Sequence, residues 1–585
     1  MEELIYSILG SREKKRKVVI YIVIAFLVAV MMIPTKIVLA KMLPGKSANT
    51  FSIYVDTATN SSITETQRVT NCVVQQFKKE PNVHDMEVFL AQGAPLDYAG
   101  LVKGSALKRL KNQAEIVVNL TDKHDRDEAS FMMVHRVRKS VQETCEPLTK
   151  GTTIKFVEMP SGPPTLATIV INIFGKDARL MRDTATKVAE VLKQTEGLVD
   201  VDIMQDDIYP HYEIIPDKEK IIRSGLSVEQ VNNILYLAFQ GMVVAVKNSK
   251  AQQDQIPIFI RLDSESRSII PNTQEGLHWK LSRLKLLNPM GMMIPIKEVV
   301  NVRAVDSDPT IFRKDLRNLV TITSECDMVS QVYPLLEARD TLIQTLSDDF
   351  NITKDPGMST YMFDLHLKNK KTGEKLLLRW DGEMKVSLDT FRDLGGAFIA
   401  ALVLMFLLMV VYYKSFALSG IILLASFLSI IGVIVGHFIT DIISLVFSGT
   451  NFFLTATSLI GFISLMGISA RSSLLLIDFS KALIDKGVEK RRAIAISTST
   501  RAKPILMTAV AIILGSLLLA TDPIFGGLGV ALIFGSIAAT VVSLFLVPVM
   551  IDNTVAICPR GPDEQPQPRP GQGIKEHIDP KKIGL

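Results

Sequence analysis

The sequence predicts an α-helical membrane domain of six transmembrane helices joined to a large α+β domain of ferredoxin-like, split βαβ subdomains. Three observations predict it. Six apolar windows are long enough to cross a bilayer core, which takes roughly 20 helical residues. Two separate clusters of Lys and Arg agree on a single orientation for them. Between the first and second windows lies a stretch of ordinary soluble composition, too long for a loop, in which strand-like and helix-like patterns alternate.

The first window is 18–40, interrupted only by Pro34 and Lys36. It is too long for a signal peptide, and no small-residue cleavage site ends it. The others are 394–412, 417–438, 452–477, 505–520 and 528–551. Arg12, Lys14, Lys15, Arg16 and Lys17 precede the first and place 1–17 in the cytoplasm. Lys481, Lys486, Lys490, Arg491, Arg492, Arg501 and Lys503, between the fourth and fifth, fall on the same side. The loop 440–451 carries no Lys or Arg and reads as an outer loop. Leu4, Ile5, Ile8 and Leu9 share one helical face and suit a helix lying on membrane lipid. The tail 552–585 returns to the cytoplasm. From Pro559 on it is rich in Pro, Gly, Gln and charge and is expected to be disordered.

In the outer region, 50–55, 84–90, 114–120, 153–158, 167–174, 199–204 and 319–324 read as strands. The intervening 62–80, 128–145, 179–194 and 329–346 read as helices. This rhythm of β-α-β units is the split βαβ pattern. Residues 210–316 break it and read as an insertion.

Composition excludes several functions. Of 585 residues, 48% are hydrophobic and 21% charged, with a net charge of +5. The mean hydropathy is +0.26. No basic stripe with interleaved aromatics points to nucleic acid. Cys72, Cys145, Cys326 and Cys558 are scattered without CxxC spacing, so isolated thiols are expected rather than a disulfide framework or metal site. His84, His124, His135, His211, His278 and His366 form no HxH or HxxxH pair. No nucleophile–base pair appears, so neither an enzyme nor a bound cofactor is expected. Lys123-His124-Asp125-Arg126-Asp127 reads as a solvated turn.

Several motifs carry a family resemblance over nearly the whole chain. Lys41-Met42-Leu43-Pro44 before a strand and Thr64-Glu65-Thr66, Pro160-Ser161-Gly162-Pro163-Pro164, and Leu378-Arg379-Trp380-Asp381-Gly382-Glu383 are three of them. The most specific run holds Gly461-Phe462-Ile463, Gly467-Ile468-Ser469-Ala470-Arg471, Ile477-Asp478-Phe479 and Lys503-Pro504-Ile505-Leu506-Met507-Thr508, in order. Together they resemble the RND (resistance-nodulation-division) efflux permeases, whose full chains hold two repeats of one span, a porter loop and five spans. The resemblance implies porter subdomains at 41–160 and at 161–209 with 317–393, a docking-like insertion at 210–316, and transmembrane helices two to six within 394–551.

The fourth span lacks the aspartate pair of the family's N-terminal half. Arg471, in Ser469-Ala470-Arg471-Ser472, stands where the C-terminal half has a lysine. The chain therefore resembles a C-terminal half, and three residues map onto the family's proton relay: Arg471, Thr508 and Arg501. Arg471 is the residue that physics also singles out. Arginine does not deprotonate, and a charge inside a span needs a partner. The resemblance puts that partner, the aspartate pair, on a companion N-terminal-half subunit. Each residue has a simpler reading: Arg471 snorkels to the cytoplasmic face, Thr508 bonds back to its own helix, and Arg501 anchors the span beside Lys503. Ser472 and Ser473 read as packing residues, Pro504 as a first-turn proline, and Gly461 and Gly467 as points of close helix approach.

The resemblance implies a proton-driven inner-membrane efflux subunit, half of a split pump, in a trimer with a periplasmic adaptor and an outer-membrane channel. Amphiphilic substrates are expected ahead of metal ions, because Met290, Met292 and Met293 around Gly291 fall in the insertion and read as a turn. The alternative is a fragment that does not pump and serves envelope assembly.

Overall fold

The computed structural model describes residues 1–159, 162, 164–251, 255–355 and 361–554. Most of the expected tail, Cys558, and Pro160, Ser161 and Pro163 of the linker motif lie outside the described residues.

Two helices open the chain, α1 (Glu2–Gly10) and α2 (Arg12–Met31). The first sheet is built from β1 (Thr50–Asp56), α3 (Ile63–Phe77), β2 (Val83–Leu90), β3 (Gln113–Leu120), α4 (Ser130–Cys145) and β4 (Thr153–Val157). Its strand order is β2-β3-β1-β4, so each helix crosses over a strand threaded between its two flanking strands. Local chemistry starts α3. The Ser62 hydroxyl accepts from the Glu65 N–H at 3.3 Å while the Glu65 carboxylate accepts from the Ser62 N–H at 2.7 Å, a capping box. Val69, Val73 and Phe77, at helical spacing, then cover Ile53, Ile116 and Ile154 of the sheet. Each such buried side chain stabilises the fold by about 1.5–3 kcal/mol.

Cys72 of α3 and Cys145 of α4 are disulfide-bonded, with Cα atoms 5.7 Å apart. This overturns the expectation of isolated thiols. A separation of 73 residues leaves no sequence motif, yet both helices cover the same sheet and bring the two together. Cys326 is free. The turn at 123–125 is as expected, but Arg126 is buried and donates to Ser47 Oγ at 2.9 Å.

The second sheet begins with β5 (Ile169–Phe174), α5 (Ala178–Gln194) and β6 (Leu198–Met204). The chain then forms a separate compact unit, Gln205–Phe312 with Ala58–Asn60. Taken by itself, this unit has an antiparallel pair β7 (Pro210–Pro216) and β12 (Val300–Asp306). Its hairpins are β8 (Met242–Lys247) with β9 (Ile256–Ile260) and β10 (Lys285–Leu287) with β11 (Met293–Pro295). Ile221, Val231, Leu277, Leu281 and Ile296 form its core. Met290, Met292 and Met293 sit exposed on the β10–β11 turn, where Gly291 has φ +78°.

The second sheet resumes with β13 (Arg317–Cys326), α6 (Val332–Leu346), β14 (Phe350–Lys354), β15 (Leu365–Asn369) and β16 (Lys375–Asp381). β13 pairs with β5 on one side and β6 on the other, and β16, β15 and β14 extend the sheet beyond β5.

Then come α7 (Glu383–Tyr413), α8 (Phe416–Phe427), α9 (Ile430–Ser448), α10 (Ala456–Asp485), α11 (Lys490–Ala520), α12 (Gly526–Val541) and α13 (Val547–Asn553). Among the described residues five stretches are helical, long and apolar enough to cross a membrane: Glu383–Tyr413, Phe416–Ser448, Ala456–Asp485, Lys490–Ala520 and Gly526–Asn553. The protein is a mixed helix-and-sheet membrane protein.

Several boundaries differ from the expected windows, because hydropathy sees only the apolar part of a helix. α7 starts at Glu383 inside the stretch assigned to the soluble region. α9 runs on to Ser448, through most of the expected outer loop, until Gly449 at φ +66° ends it. α11 begins at Lys490, so Pro504 lies inside the helix and not in its first turn. α2 ends at Met31, short of the expected 40. Its first six residues are five cations and one Glu, which leaves about 21 Å of apolar helix from Val18 at 1.5 Å per residue.

On α1, Ile5 and Leu9 are buried among Ala493, Ile494, Val547 and Ile551, while Leu4 on the same face is 52% exposed. Lys15 pairs with Asp552 beside it.

Candidate functional site

The site grows from three helices packed side by side, α10, α11 and α12. Small residues let them approach: a Cβ on Gly461 would meet Ala531 Cβ at 2.9 Å, and one on Gly535 would meet Leu465 at 2.2 Å. Gly467 has nothing within 4 Å and makes no such contact, contrary to expectation. Midway along their length a shallow groove opens between the helices. Ser469 and Ser472 of α10, Thr508 of α11, and Ser536 and Thr540 of α12 line it, with Ile505 and Ile512 between them.

Four of the hydroxyls turn back on their own helices. Thr508 donates to Pro504 O at 2.9 Å, Ser472 to Ile468 O at 3.2 Å, Ser536 to Ile533 O at 2.9 Å, and Thr540 to Ser536 O at 2.8 Å. Such bonds satisfy the proton and leave oxygen lone pairs toward the groove. Ser469 is 1% exposed and has no hydrogen-bond partner.

Arg471 stands one residue before Ser472 and is exposed. Among the described residues no carboxylate lies within 4.0 Å of it, and its guanidinium makes no hydrogen bond. The nearest acid along α10 is Asp478, seven residues on, about 10 Å by helical rise. Asp478 is engaged elsewhere: Tyr413 Oη donates to it at 2.8 Å and Tyr412 Oη at 3.4 Å. Arg501 does not enter the groove lining. Its guanidinium lies over the Phe479 ring at 5.1 Å, and its Nε is buried without a partner. Thr508 thus lines the groove, Arg471 stands outside its lining, next along α10 to Ser472, and Arg501 is held apart on an aromatic face. Ser473 packs against Ser543 at 3.4 Å.

A second concentration of charge sits where the two sheets meet. Asp200, at φ +52°, reaches across from β6; Asp tolerates the left-handed region better than most residues. Its carboxylate accepts from Arg138, from Gln142 Nε2 at 3.0 Å and from the Phe156 N–H at 3.0 Å. Lys155 bridges Asp56 at 3.0 Å and Asp202 at 2.5 Å. Burial raises the Asp56 pKa, but Lys155 and Lys108 outweigh it and hold the carboxyl well below the usual range. Lys103 pairs with Glu325 at 2.6 Å. Glu158 has no such partner among the described residues. Burial pushes its pKa up to about 7, opposed by Arg138 and reinforced by Glu325 and Asp327.

Sequence reasoning passes over these inter-sheet pairs, whose members are far apart in the chain. It also passes over His437, a buried histidine of α9, although one ionisable residue inside an apolar run is a visible signal.

The AcrB/AcrD/AcrF family model matches residues 2–353 and 363–552. The swarming motility protein SwrC of Bacillus subtilis is 24% identical over 392 residues, covering 65% of this chain and 32% of that protein. The nickel and cobalt resistance protein CnrA of Cupriavidus metallidurans is 23% identical over 416 residues, covering 69% of this chain and 34% of that protein. The cobalt-zinc-cadmium resistance protein CzcA of the same species is 22% identical over 408 residues. A crystal structure of a heavy metal efflux pump has the same fold, with a TM-score of 0.68 at 19% identity over 94% of this chain and 51% of that one. The chain spans about a third of the length of these curated relatives.

Proposed function

The chain belongs to the AcrB/AcrD/AcrF family of RND permeases, and we propose that it is one half of a proton-driven efflux transporter whose companion half carries the titratable carboxylates. The observation that carries this reading is Arg471: a cation on a membrane helix, next along the helix to a hydroxyl-lined groove, with no carboxylate in reach among the described residues. A fixed charge there needs a counter-charge. If that counter-charge is a carboxylate taking up and releasing a proton, each protonation weakens its attraction to Arg471 and lets α10 and α11 move. This is a local electrostatic event with a larger readout. Thr508, free on its lone-pair side, is placed to donate or accept at the same carboxylate once its bond to Pro504 is given up.

In this reading α2 makes the sixth span, its basic first turns at the cytoplasmic surface, and the two sheets stand outside the inner membrane, in the periplasm. A disulfide in the first sheet suits an oxidising compartment. A trimer, a periplasmic adaptor and an outer-membrane channel complete the assembly.

Heavy-metal cations are at least as well supported as amphiphiles for the substrate, because relatives matching the chain are named for nickel, cobalt, zinc and cadmium resistance. The exposed methionine turn does not weigh against metal, since it belongs to the separate unit at Gln205–Phe312.

Purification of the tagged chain from its native host, in detergent and without forced co-expression, tests the assembly. An equimolar second half with paired aspartates in a membrane helix is expected; its absence from a monodisperse, folded preparation overturns the reading. Growth protection against nickel and cobalt salts, compared with protection against a detergent, assigns the substrate class.

A further inference from the structure

His437 is fully buried in α9. Its Nδ1 lies 2.7 Å from the Val433 carbonyl oxygen one turn earlier. A carbonyl only accepts, so Nδ1 carries a proton. Its Nε2 lies 2.8 Å from Ser458 Oγ. From there the contacts run on: Ser458 Oγ to Thr455 Oγ1 at 3.0 Å, Thr455 Oγ1 to Thr457 Oγ1 at 2.8 Å, and Thr457 Oγ1 to the Ile524 carbonyl at 3.2 Å.

The protons in this chain can be counted. Four contacts link His437 to Ile524. The hydroxyls of Ser458, Thr455 and Thr457 supply one proton each, and the Ile524 carbonyl supplies none. With a neutral imidazole protonated at Nδ1, one contact is left with two lone pairs facing each other. With an imidazolium, every contact holds one proton: His437 donates to Ser458, Ser458 to Thr455, Thr455 to Thr457, and Thr457 to Ile524. Ser458 Oγ still has a lone pair for the Thr455 N–H, which donates to it at 3.0 Å.

We propose that His437 and this hydroxyl chain form a proton-binding site separate from the Arg471 groove, in which uptake of one proton reverses the Ser458 hydroxyl and completes the chain. The packing favours such a site. A Cβ on Gly527 would stand 2.3 Å from Thr455 Oγ1 and 2.4 Å from Ser458 Oγ, so only glycine leaves the chain room at the start of α12. The imidazole has no anion bonded to it among the described residues, so burial opposes its protonation and the Val433 carbonyl and Ser458 hydroxyl are the acceptors that offset that cost. α12 carries no ionisable side chain, and neither does α10 from Ala456 to Ala470. α2 from Val18 to Met31 carries only Tyr21, which is exposed. On α9 itself Asp441 accepts from the Phe452 N–H at 2.6 Å, and in the turn before α12 Asp522 accepts from the Ile524 and Phe525 N–H groups at 2.8 and 2.7 Å. Lys41 is held over the Phe453 ring at 5.4 Å.

The location gives the proton something to act on. Thr455 directly precedes Ala456, whose N–H donates to Met42 O at 3.1 Å, and follows Leu454, which pairs with Leu39 and Lys41 at 2.8 and 3.0 Å. Ser330, beside the second sheet, donates to Ala40 O. The hydroxyl chain therefore passes through Thr455, whose two neighbours are bonded to the strap that joins the membrane helices to the sheets. This inference does not rest on the transport reading, because protonation can be read directly.

The test is solid-state NMR of the full chain in lipid bilayers with 15N-labelled histidine, titrated from about pH 8 to about pH 5, an interval that brackets the ordinary histidine pKa. The His437 ring, assigned by its absence in His437→Gln, is expected to pass from the neutral Nδ1–H form to the doubly protonated form. Ser458→Ala, which leaves the imidazole in place and removes the acceptor of its second proton, is expected to lower the midpoint by about one pH unit or more. A loss of folding in His437→Gln leaves the comparison intact, since the one signal whose midpoint moves in Ser458→Ala is then that of His437. A ring that stays neutral to about pH 5, or a midpoint indifferent to Ser458→Ala, overturns the proposal.

Discussion

The interface between the two sheets and the groove between α10, α11 and α12 treat charge in opposite ways. At the sheet interface the cations find their anions on the same chain: Arg138 with Asp200, Lys155 with Asp56 and Asp202, Lys103 with Glu325. Beside the groove Arg471 finds none among the described residues, and four hydroxyls satisfy themselves on their own helices. The first region pairs these cations within the chain and can be understood as structure, with Glu158 left over. The second is complete only with a charge from elsewhere, and this incompleteness points to function.

Mutations can break or sharpen the contrast. The largest effect belongs to the interface. Arg138→Ala strands the buried Asp200 carboxylate and is expected to cost about 3–5 kcal/mol in denaturant unfolding of the purified chain. Removing the Cys72–Cys145 bond with paired serines, which frees a loop of 73 residues, is expected to cost about 2–4 kcal/mol by the same measurement.

Glu158 comes next. Its folded pKa, raised to about 7, means that the folded state holds a proton which the unfolded chain releases near its ordinary value. Stability should therefore fall as pH rises from about 4.5 to about 7, by about 3 kcal/mol, and stay low above that. Glu158→Gln should flatten this dependence. The smallest expected effect is that of Arg471→Ala on the chain alone, within about 0.5 kcal/mol, because no partner is lost. A cost of several kcal/mol there would reveal a counter-charge on this chain and erase the contrast.

Much of the sheet region was legible in the sequence, and for a physical reason. Strands 50–55 and 114–120 alternate cleanly because one face meets helices, and they appear at Thr50–Asp56 and Gln113–Leu120. The membrane helices were legible only where they are apolar. α11 begins well before the apolar window at 505, because Ala493, Ile494, Ser497 and Thr498 bury one face of a stretch that also carries five basic residues, Lys490, Arg491, Arg492, Arg501 and Lys503. The disulfide and the Arg138–Asp200 pair were not legible, since they join residues that only the folded sheets bring together. At the candidate site, Arg471 and Thr508 could be read from a motif; Thr508 lines the groove, and Arg471 is exposed outside its lining. Arg501 could be read too, but its cation is spent on Phe479. His437 was visible as a lone ionisable residue in an apolar run. Its meaning came only with Ser458 and Thr455, which a loop separates from it.

One measurement bears on the central claim most directly: solute efflux driven by an imposed pH gradient in proteoliposomes, with and without the companion half. The account predicts no gradient-dependent efflux from this chain alone, efflux when the second half is present, and loss of that efflux in Arg471→Ala. Gradient-driven efflux by the isolated chain, undiminished in Arg471→Ala, would contradict it.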